Sequence, residues 1–412
     1  MDIMKTLHRF RGSFYYFDLL IPGLKSPRAY FNWLRVNYEM FRQVETVKAK
    51  PLKLTIEPTN MCHLQCPLCP TGLRINERVF CDLNMDIFKC LIDEVGDYVF
   101  FVDLFNWGEP LLSNQIEDFL LILHKRKIST TLSTNLSVKI SDERIHKLIT
   151  SGLNHIIASL DGGSKESYIK YRRGGNFDLV IDNLRRIVEM RDKIGSKTPY
   201  ITWQYLVFRF NEHELAKAQN IAKDIGVDRI WFQKAYIDEG HYKISDSDRN
   251  AIRKWIPSNP LLTFYDPKDA EKHFSVPLKL MKKYRKKRCD WHYASSAINS
   301  DGKISPCCAL YKKSDDLGFL NQCQESSYMT EINNHSFKEI RNGFAGRCML
   351  PENVACSTCS NGTLMEYAKG INRWIFFTTV AKILYYFIFP LEYFVGKCHK
   401  TKKPKLKIKW PD

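Results

Sequence analysis

No stretch of the chain reaches the roughly 18–20 uninterrupted apolar residues of a membrane-spanning helix, although 44% of its 412 residues are hydrophobic and 13% aromatic. The amino-terminal segment lacks a small-residue cleavage site and its apolar run is interrupted by Asp18, so a secretory signal peptide is not expected. Long internal repeats and extended low-complexity tracts are missing too. The apolar content excludes wholesale disorder. The length suits two or three domains rather than one module. Acidic residues are in deficit: 45 Asp and Glu stand against 62 Lys and Arg, a formal charge of +17. That excess points to an anionic partner, but no RNA- or DNA-binding module accompanies it, which argues against nucleic acid.

Cysteine is absent from a long internal stretch. Of 13 cysteines, Cys62, Cys66, Cys69, Cys81 and Cys90 precede the gap, and the rest run from Cys289 to Cys398. Without export signals disulfides are not expected, and metal or redox chemistry in a reduced cytoplasmic setting is favoured. Apolar, β-branched or aromatic runs at 52–56, 99–105, 129–133, 155–160, 200–207 and 228–232 predict strands. Helix-period patterns lie between them, clearest at 178–190 and 213–225. Six strands alternating with helices predict parallel βαβ units, closed or partly closed into a barrel. An active site is then expected at the carboxyl ends of the strands.

Cys62, Cys66 and Cys69 form a CxxxCxxC loop directly after the first strand. A zinc site normally takes four N/S ligands in paired motifs, and His63 is awkwardly adjacent to Cys62 for that role. Three thiolates on one loop instead wrap one face of a cube-shaped [4Fe–4S] cluster and leave one iron open. Further motifs follow at successive strand ends: Asn106-Trp107-Gly108-Glu109-Pro110, then Ser133-Thr134-Asn135, then Ser159-Leu160-Asp161-Gly162-Gly163. Tyr171-Arg172-Arg173-Gly174-Gly175 and Asn176-Phe177 come next.

In this order, over about residues 51–240, these motifs resemble the radical S-adenosylmethionine (SAM) superfamily. Trp107 replaces the first glycine of that family's GGEP motif, and Leu68 stands where many members carry an aromatic before the third cysteine. The resemblance implies that Cys62, Cys66 and Cys69 hold a [4Fe–4S] cluster whose open iron is chelated by the methionine part of SAM. Gly108, Glu109 and Pro110 would line its amino group, and Arg172, or the neighbouring Arg173, would pair its carboxylate. Ser133, Asn135 and Ser159 would reach the ribose or the amino-acid portion. One electron, from a donor such as flavodoxin or ferredoxin, would yield a 5′-deoxyadenosyl radical that abstracts a substrate hydrogen. No protein residue is assigned a catalytic role beyond holding these cofactors.

Seventeen residues separate Cys289 from Cys307, and Cys356 and Cys359 form a CxxC pair. On spacing alone these four thiolates suit either zinc or a second [4Fe–4S] cluster. The surrounding pattern resembles the SPASM domain that follows many radical SAM barrels. Met365 stands where a further cysteine would fall, so the resemblance implies one auxiliary [4Fe–4S] cluster on Cys289, Cys307, Cys356 and Cys359, as in shortened twitch variants. Cys308 is an alternative to Cys307 or a free thiol near the substrate. Cys81, Cys90, Cys323, Cys348 and Cys398 are expected to be unligated.

The expected fold is α/β, a partial (β/α)6 TIM-like barrel followed by a small SPASM/twitch-like domain and an amphipathic carboxyl-terminal helix. Residues 1–50 form a basic, aromatic lead, 51–240 the barrel, 241–285 a connector, 286–365 the auxiliary-cluster domain and 366–412 the tail. The apolar segment 374–389 and the final seventeen residues, with seven lysines, suggest a helix lying on an anionic membrane surface. A helix docked on the barrel is the competing reading. The expected function is radical oxidation or epimerisation of a carbohydrate, cyclitol or lipid-linked glycan in the cytoplasm, peripherally at the inner membrane face. A peptide-modifying maturase and a non-catalytic metal-binding module of a membrane assembly are the alternatives.

Overall fold

A computed structural model describes residues 25–42, 44, 46–75, 77–234, 255, 257–258, 291–306, 308, 310–313, 316–320 and 327–333. The six expected strands are present as Lys53–Ile56 (β1), Phe101–Asp103 (β2), Ser129–Thr134 (β3), His155–Ser159 (β4), Tyr200–Val207 (β5) and Arg229–Lys234 (β6). They pair in parallel in the order β6-β5-β4-β3-β2-β1. Helix Pro27–Arg42 (α1) precedes them. Met85–Val95 (α2), Ile116–Lys125 (α3), Asp142–Thr150 (α4), Lys165–Tyr171 (α5), Phe177–Ile194 (α6) and Leu215–Ile225 (α7) form the crossovers. Both helices read from sequence are thus found, as α6 and α7.

The sheet does not stop at β1. After the short helix Trp291–Ala294 (α8), Ser295–Ile298 (β7) runs parallel to β1. Lys303–Ser305 (β8) and Gly318–Phe319 (β9) extend the sheet antiparallel, and Tyr328–Ile332 (α9) follows. The first part of the segment expected as an auxiliary domain therefore continues the barrel sheet. Cys289, Cys307, Cys356, Cys359 and the expected carboxyl-terminal helix lie outside the described residues.

Local chemistry explains the elements. Asn84 caps α2 by accepting from the amides of Asp86 and Ile87, and Asn176 caps α6 by accepting from Leu179. Gly195 (φ 71°) and Gly226 (φ 84°) end α6 and α7 in the left-handed region. The helix-facing side of the sheet is aliphatic: Leu54, Val102, Leu132, Ile156 and Ile201 are buried in one core with Phe88, Leu91 and Phe119 of the covering helices. The opposite face is polar. In register across it lie Thr55, Asp103, Thr131, His155 and Tyr200, with Ser133 and then Ser159 and Gln204 nearer the carboxyl ends. Lys53 and Asp103 form a buried ion pair on this face at 2.5 Å.

α1 lies across the amino-terminal end of β1, β2 and β7, burying Ala29 and Val36 with Leu52, Phe100, Ala294 and Leu310. It is clasped there by two buried side chains. Asn32 exchanges hydrogen bonds with the backbone of Lys50 at 2.8 and 2.9 Å, and the Glu39 carboxylate accepts from the amides of Lys48 and Ala49. Just before α1, the Lys25 ammonium donates to the carbonyls of Gly96 and Arg126, which close α2 and α3.

Two cysteines differ in their surroundings from what was expected. Cys90, on α2, is disulfide-bonded rather than free. Cys308 is a free thiol packed on the apolar cluster at the amino-terminal end of the strands, where burial pushes it up to about 11.

A second constraint joins the hairpin to the cysteine loop. The Arg78 guanidinium, 2% exposed, donates to Asp301 at 3.0 Å and to both oxygens of Asp316 at 3.0 and 2.5 Å. Breaking such a buried pair strands two carboxylates. Arg78→Met is expected to lower the free energy of unfolding by about 3–5 kcal/mol in denaturant titrations, with part of the loss recovered by adding Asp316→Asn.

His155 makes a 2.9 Å hydrogen bond with Thr202 Oγ1, and burial pushes its ring down to about 4 from an ordinary 6.5. Between those values the unfolded chain binds a proton that the folded chain refuses, so stability falls as pH drops through this window. The loss is expected to reach about 3 kcal/mol. His155→Gln, which keeps a polar partner for Thr202, should flatten the dependence when unfolding of the metal-free protein is followed against pH.

Candidate active site at the carboxyl ends of the strands

Loops leaving the carboxyl ends of β1 to β6 enclose a cavity of about 380 Å³. The first loop supplies Cys62, Cys66 and Cys69 as one wall. Its path is tightly closed. Cys69 N donates to Cys66 O at 3.2 Å, Leu73 N donates to Cys69 O at 2.8 Å, and Gln65 N donates to Arg173 O at 2.9 Å. Gly72 is needed for this closure, because a Cβ there would lie 2.4 Å from Cys66 O.

Among the described residues, no three His, Cys, Asp or Glu side chains converge on a single metal ion. A multi-iron cluster asks for something else, since each thiolate binds a different iron. Burial pushes Cys62 up to about 12 and Cys66 up to about 11, so these thiols stay protonated until a metal displaces the proton.

The second loop, 105–109, is held by a residue that sequence reasoning passed over. Glu57, buried just past β1, accepts from Trp107 N at 2.9 Å and Gly108 N at 3.2 Å, and its other oxygen accepts from Ser300 N at 3.3 Å. Gly108 is pressed against the first loop: a Cβ would lie 1.9 Å from Thr59 O. Trp107, in place of a glycine, lines the cavity while its indole donates to Leu310 O at 3.2 Å and meets Tyr311 edge-on at 6.0 Å.

Glu109 lines the cavity but its carboxylate is largely engaged. Oε1 accepts from Thr134 Oγ1 at 2.5 Å and Leu111 N at 3.1 Å, and Oε2 accepts from Asn135 N at 2.7 Å. Three of its roughly four acceptor positions are taken, and burial pushes the carboxyl up from its ordinary range. Pro110 is buried as the first residue of the 3-10 turn Pro110–Leu112 and is not among the lining residues, because the chain turns inward there.

Ser133, Asn135 and Ser159 line the cavity as expected of strand-end residues, and Asn135 Nδ2 lies 3.9 Å from Cys62 Sγ. Arg172 reaches the cavity from the end of α5. Its Nε donates to Asp161 at 2.6 Å, leaving Nη1 3.9 Å from Cys66 Sγ. Burial works against the guanidinium charge, but Asp161 together with the neighbouring Cys66, Tyr171 and Tyr168 outweighs it and keeps Arg172 protonated. Arg173, the alternative, contributes its carbonyl to Gln65 and does not line the cavity.

Asn106, Gln204 and Gln233 also line the cavity and were not singled out from sequence. Gln204 and Gln233 alternate onto the polar face of β5 and β6, a signal readable only once the register is known. Asn106 Nδ2 is buried with no hydrogen-bond partner among the described residues, an open donor beside the cysteine loop. Leu68, in place of an aromatic, packs with Leu64, Tyr171 and Phe208, and Phe208 stacks on Phe210 at 5.1 Å, so neighbouring rings supply the aromatic bulk.

The cavity thus joins a three-thiol wall, a permanent cation, an open amide donor and an apolar side of Leu64, Leu68 and Leu206. These features fit an iron–sulfur cluster next to an amphipathic ligand bearing a carboxylate. Residues 56–216 match the family model described as the Radical SAM superfamily. A protein named PqqA peptide cyclase from Bradyrhizobium diazoefficiens is 25% identical over 186 residues, 44% of this chain and 45% of its own length. Another of that name, from Rhodopseudomonas palustris, is 33% identical over 128 residues, 30% of this chain and 32% of its own. The matched stretch spans less than half of either relative. The crystal structure of Streptococcus suis SuiB shares the fold, with a TM-score of 0.52 at 17% identity over 75% of this chain and 71% of that one. A radical SAM domain binds a [4Fe–4S] cluster and S-adenosylmethionine, and the donors gathered here suit both; residues 56–216 of this chain are similar to such a domain.

Proposed function

We propose that the chain is a radical SAM enzyme that abstracts hydrogen from a peptide. The observation that carries the chemistry is the convergence of Cys62, Cys66, Cys69, Gly108, Asn135 and Arg172 on one cavity. When bound, the cluster and SAM supply a radical able to take a hydrogen atom from an unactivated carbon. The chain's own residues prepare the site. Cys62, Cys66 and Cys69 would hold three irons. Arg172, steadied by Asp161, would present its Nη atoms to the SAM carboxylate. Gly108 would let backbone approach the amino group, with Glu109 offering its one remaining acceptor position. Asn106, Ser133, Asn135, Ser159, Gln204 and Gln233 would supply hydrogen bonds to the rest of the ligand and to the substrate side.

Both curated relatives named above carry a peptide in their names, which moves the peptide reading ahead of the carbohydrate, cyclitol or lipid-linked glycan first expected. An auxiliary [4Fe–4S] cluster on Cys289, Cys307, Cys356 and Cys359 belongs to the same proposal, as does an electron donor of the flavodoxin or ferredoxin kind. Cys308 packs on the apolar cluster with Leu52, Phe100 and Leu310 and is not among the lining residues, which argues against it as a thiol beside the substrate. Peripheral contact of the basic tail with an anionic membrane completes the proposal. Among the described residues no helix is long and apolar enough to cross a membrane.

Cys66→Ala is expected to remove one cluster's worth of iron, about four per chain, and to abolish reductive SAM cleavage after anaerobic reconstitution. Cys356→Ala should spare SAM cleavage more than product formation. For the substrate, the reconstituted enzyme should be offered extracts of deuterium-grown cells divided into peptide and glycan fractions. Deuterium is expected in 5′-deoxyadenosine only with the peptide fraction, and protease treatment should remove it. Transfer from a protease-resistant, glycosidase-sensitive fraction would sink the peptide assignment and restore the carbohydrate reading.

A further inference from the structure

α1 carries an apolar face that the barrel does not use. Phe31 is 70% exposed, Leu34 54%, Tyr38 61% and Phe41 80%. At about 100° per residue these four fall within roughly 80° of arc on the helix, displaced from the buried stripe of Ala29, Asn32, Val36 and Glu39. Beside them runs a row of exposed arginines at spacings of seven, Arg28, Arg35 and Arg42. The acidic residue of this helix, Glu39, is buried and turned to the backbone of Lys48 and Ala49. Its Oε1 also accepts from Arg35 Nε at 3.0 Å, so the outward face is aromatic and cationic, with its charge carried chiefly by Arg28 and Arg42 at its two ends.

We propose that this face docks the protein on an anionic lipid surface, with Phe31, Leu34, Tyr38 and Phe41 entering the headgroup region and Arg28 and Arg42 meeting lipid phosphates. A large exposed apolar stripe bordered by arginine is the arrangement by which a helix lies in a membrane interface. The stripe is rigidly presented, because Asn32, Glu39 and Lys25 fix α1 to the barrel from its other side. Tyr38 suits this depth, with an apolar ring and a polar tip. The charge complementarity is local to the helix and matches the +17 of the chain. α1 crosses the amino-terminal end of the strands, so docking there leaves the carboxyl-end cavity facing away from the bilayer. The inference does not depend on which substrate is used.

The test is co-sedimentation of the full-length, cluster-loaded protein with phosphatidylcholine vesicles, with and without phosphatidylglycerol. Binding is expected only with phosphatidylglycerol and should weaken with added salt. Phe31→Ser/Phe41→Ser should weaken it by about tenfold or more. Arg28→Gln/Arg42→Gln should weaken it and flatten its salt dependence. All these side chains project outward, so melting temperatures should stay at the parent value, which separates lost docking from lost folding. The proposal is overturned if the phenylalanine variant binds as the parent does, leaving the basic tail as the attachment. It is equally overturned if sedimentation in lipid-free buffer finds a dimer that the same variant dissociates, making a second copy the occupant.

Discussion

The buried carboxylate of Glu57 is the constraint around which the site is arranged. It stands just past β1, and its two oxygens accept from the backbone of Trp107, Gly108 and Ser300. One side chain thereby sets the spacing between loops from β2 and β7 on either side of the cysteine loop. Burial raises the cost of its charge, and those amide donors, with Arg78 nearby, offset part of it. Without them a buried carboxylate would be among the most expensive groups in the domain. The same economy recurs at Glu109, which ties the β2 loop to the end of β3. Two buried acids, each satisfied mainly by backbone, give the cavity a rim that does not rely on mobile surface side chains.

Much of this was legible in the sequence. Parallel strands buried on the helix side write themselves as apolar runs, and each expected strand has its counterpart in β1 to β6. The cysteine, GEP and strand-end motifs were readable because they cluster in short windows. Glu57 was not, because a lone glutamate after a strand has no local mark of burial. Gln204 and Gln233 were hidden for another reason: facing the cavity is a property of register, and register is fixed between strands rather than along one. Asn106 sat inside a recognised motif, but only packing shows its amide to be an unmet donor. The continuation of the sheet through β7 to β9 was missed because the cysteines there drew the reading toward a separate domain.

Trp107 illustrates how a departure from a motif can be structural. A glycine at this position would have no side chain to place. The indole instead ties this lining position to the strand-following segment at Leu310 and Tyr311. The backbone at 107 still donates to Glu57, so the motif's geometry survives while its side chain is spent on the neighbouring hairpin.

Arg78 makes the cysteine loop and that hairpin one mechanical piece, since Asp301 and Asp316 both grip it. Modularity is therefore limited here. A chimera that takes residues 51–234 from this chain and its downstream portion from a relative would leave a buried cation facing foreign partners. Any exchange of parts has to carry Arg78 together with its two aspartates, so the units of recombination are not the units that the cysteine spacing suggests.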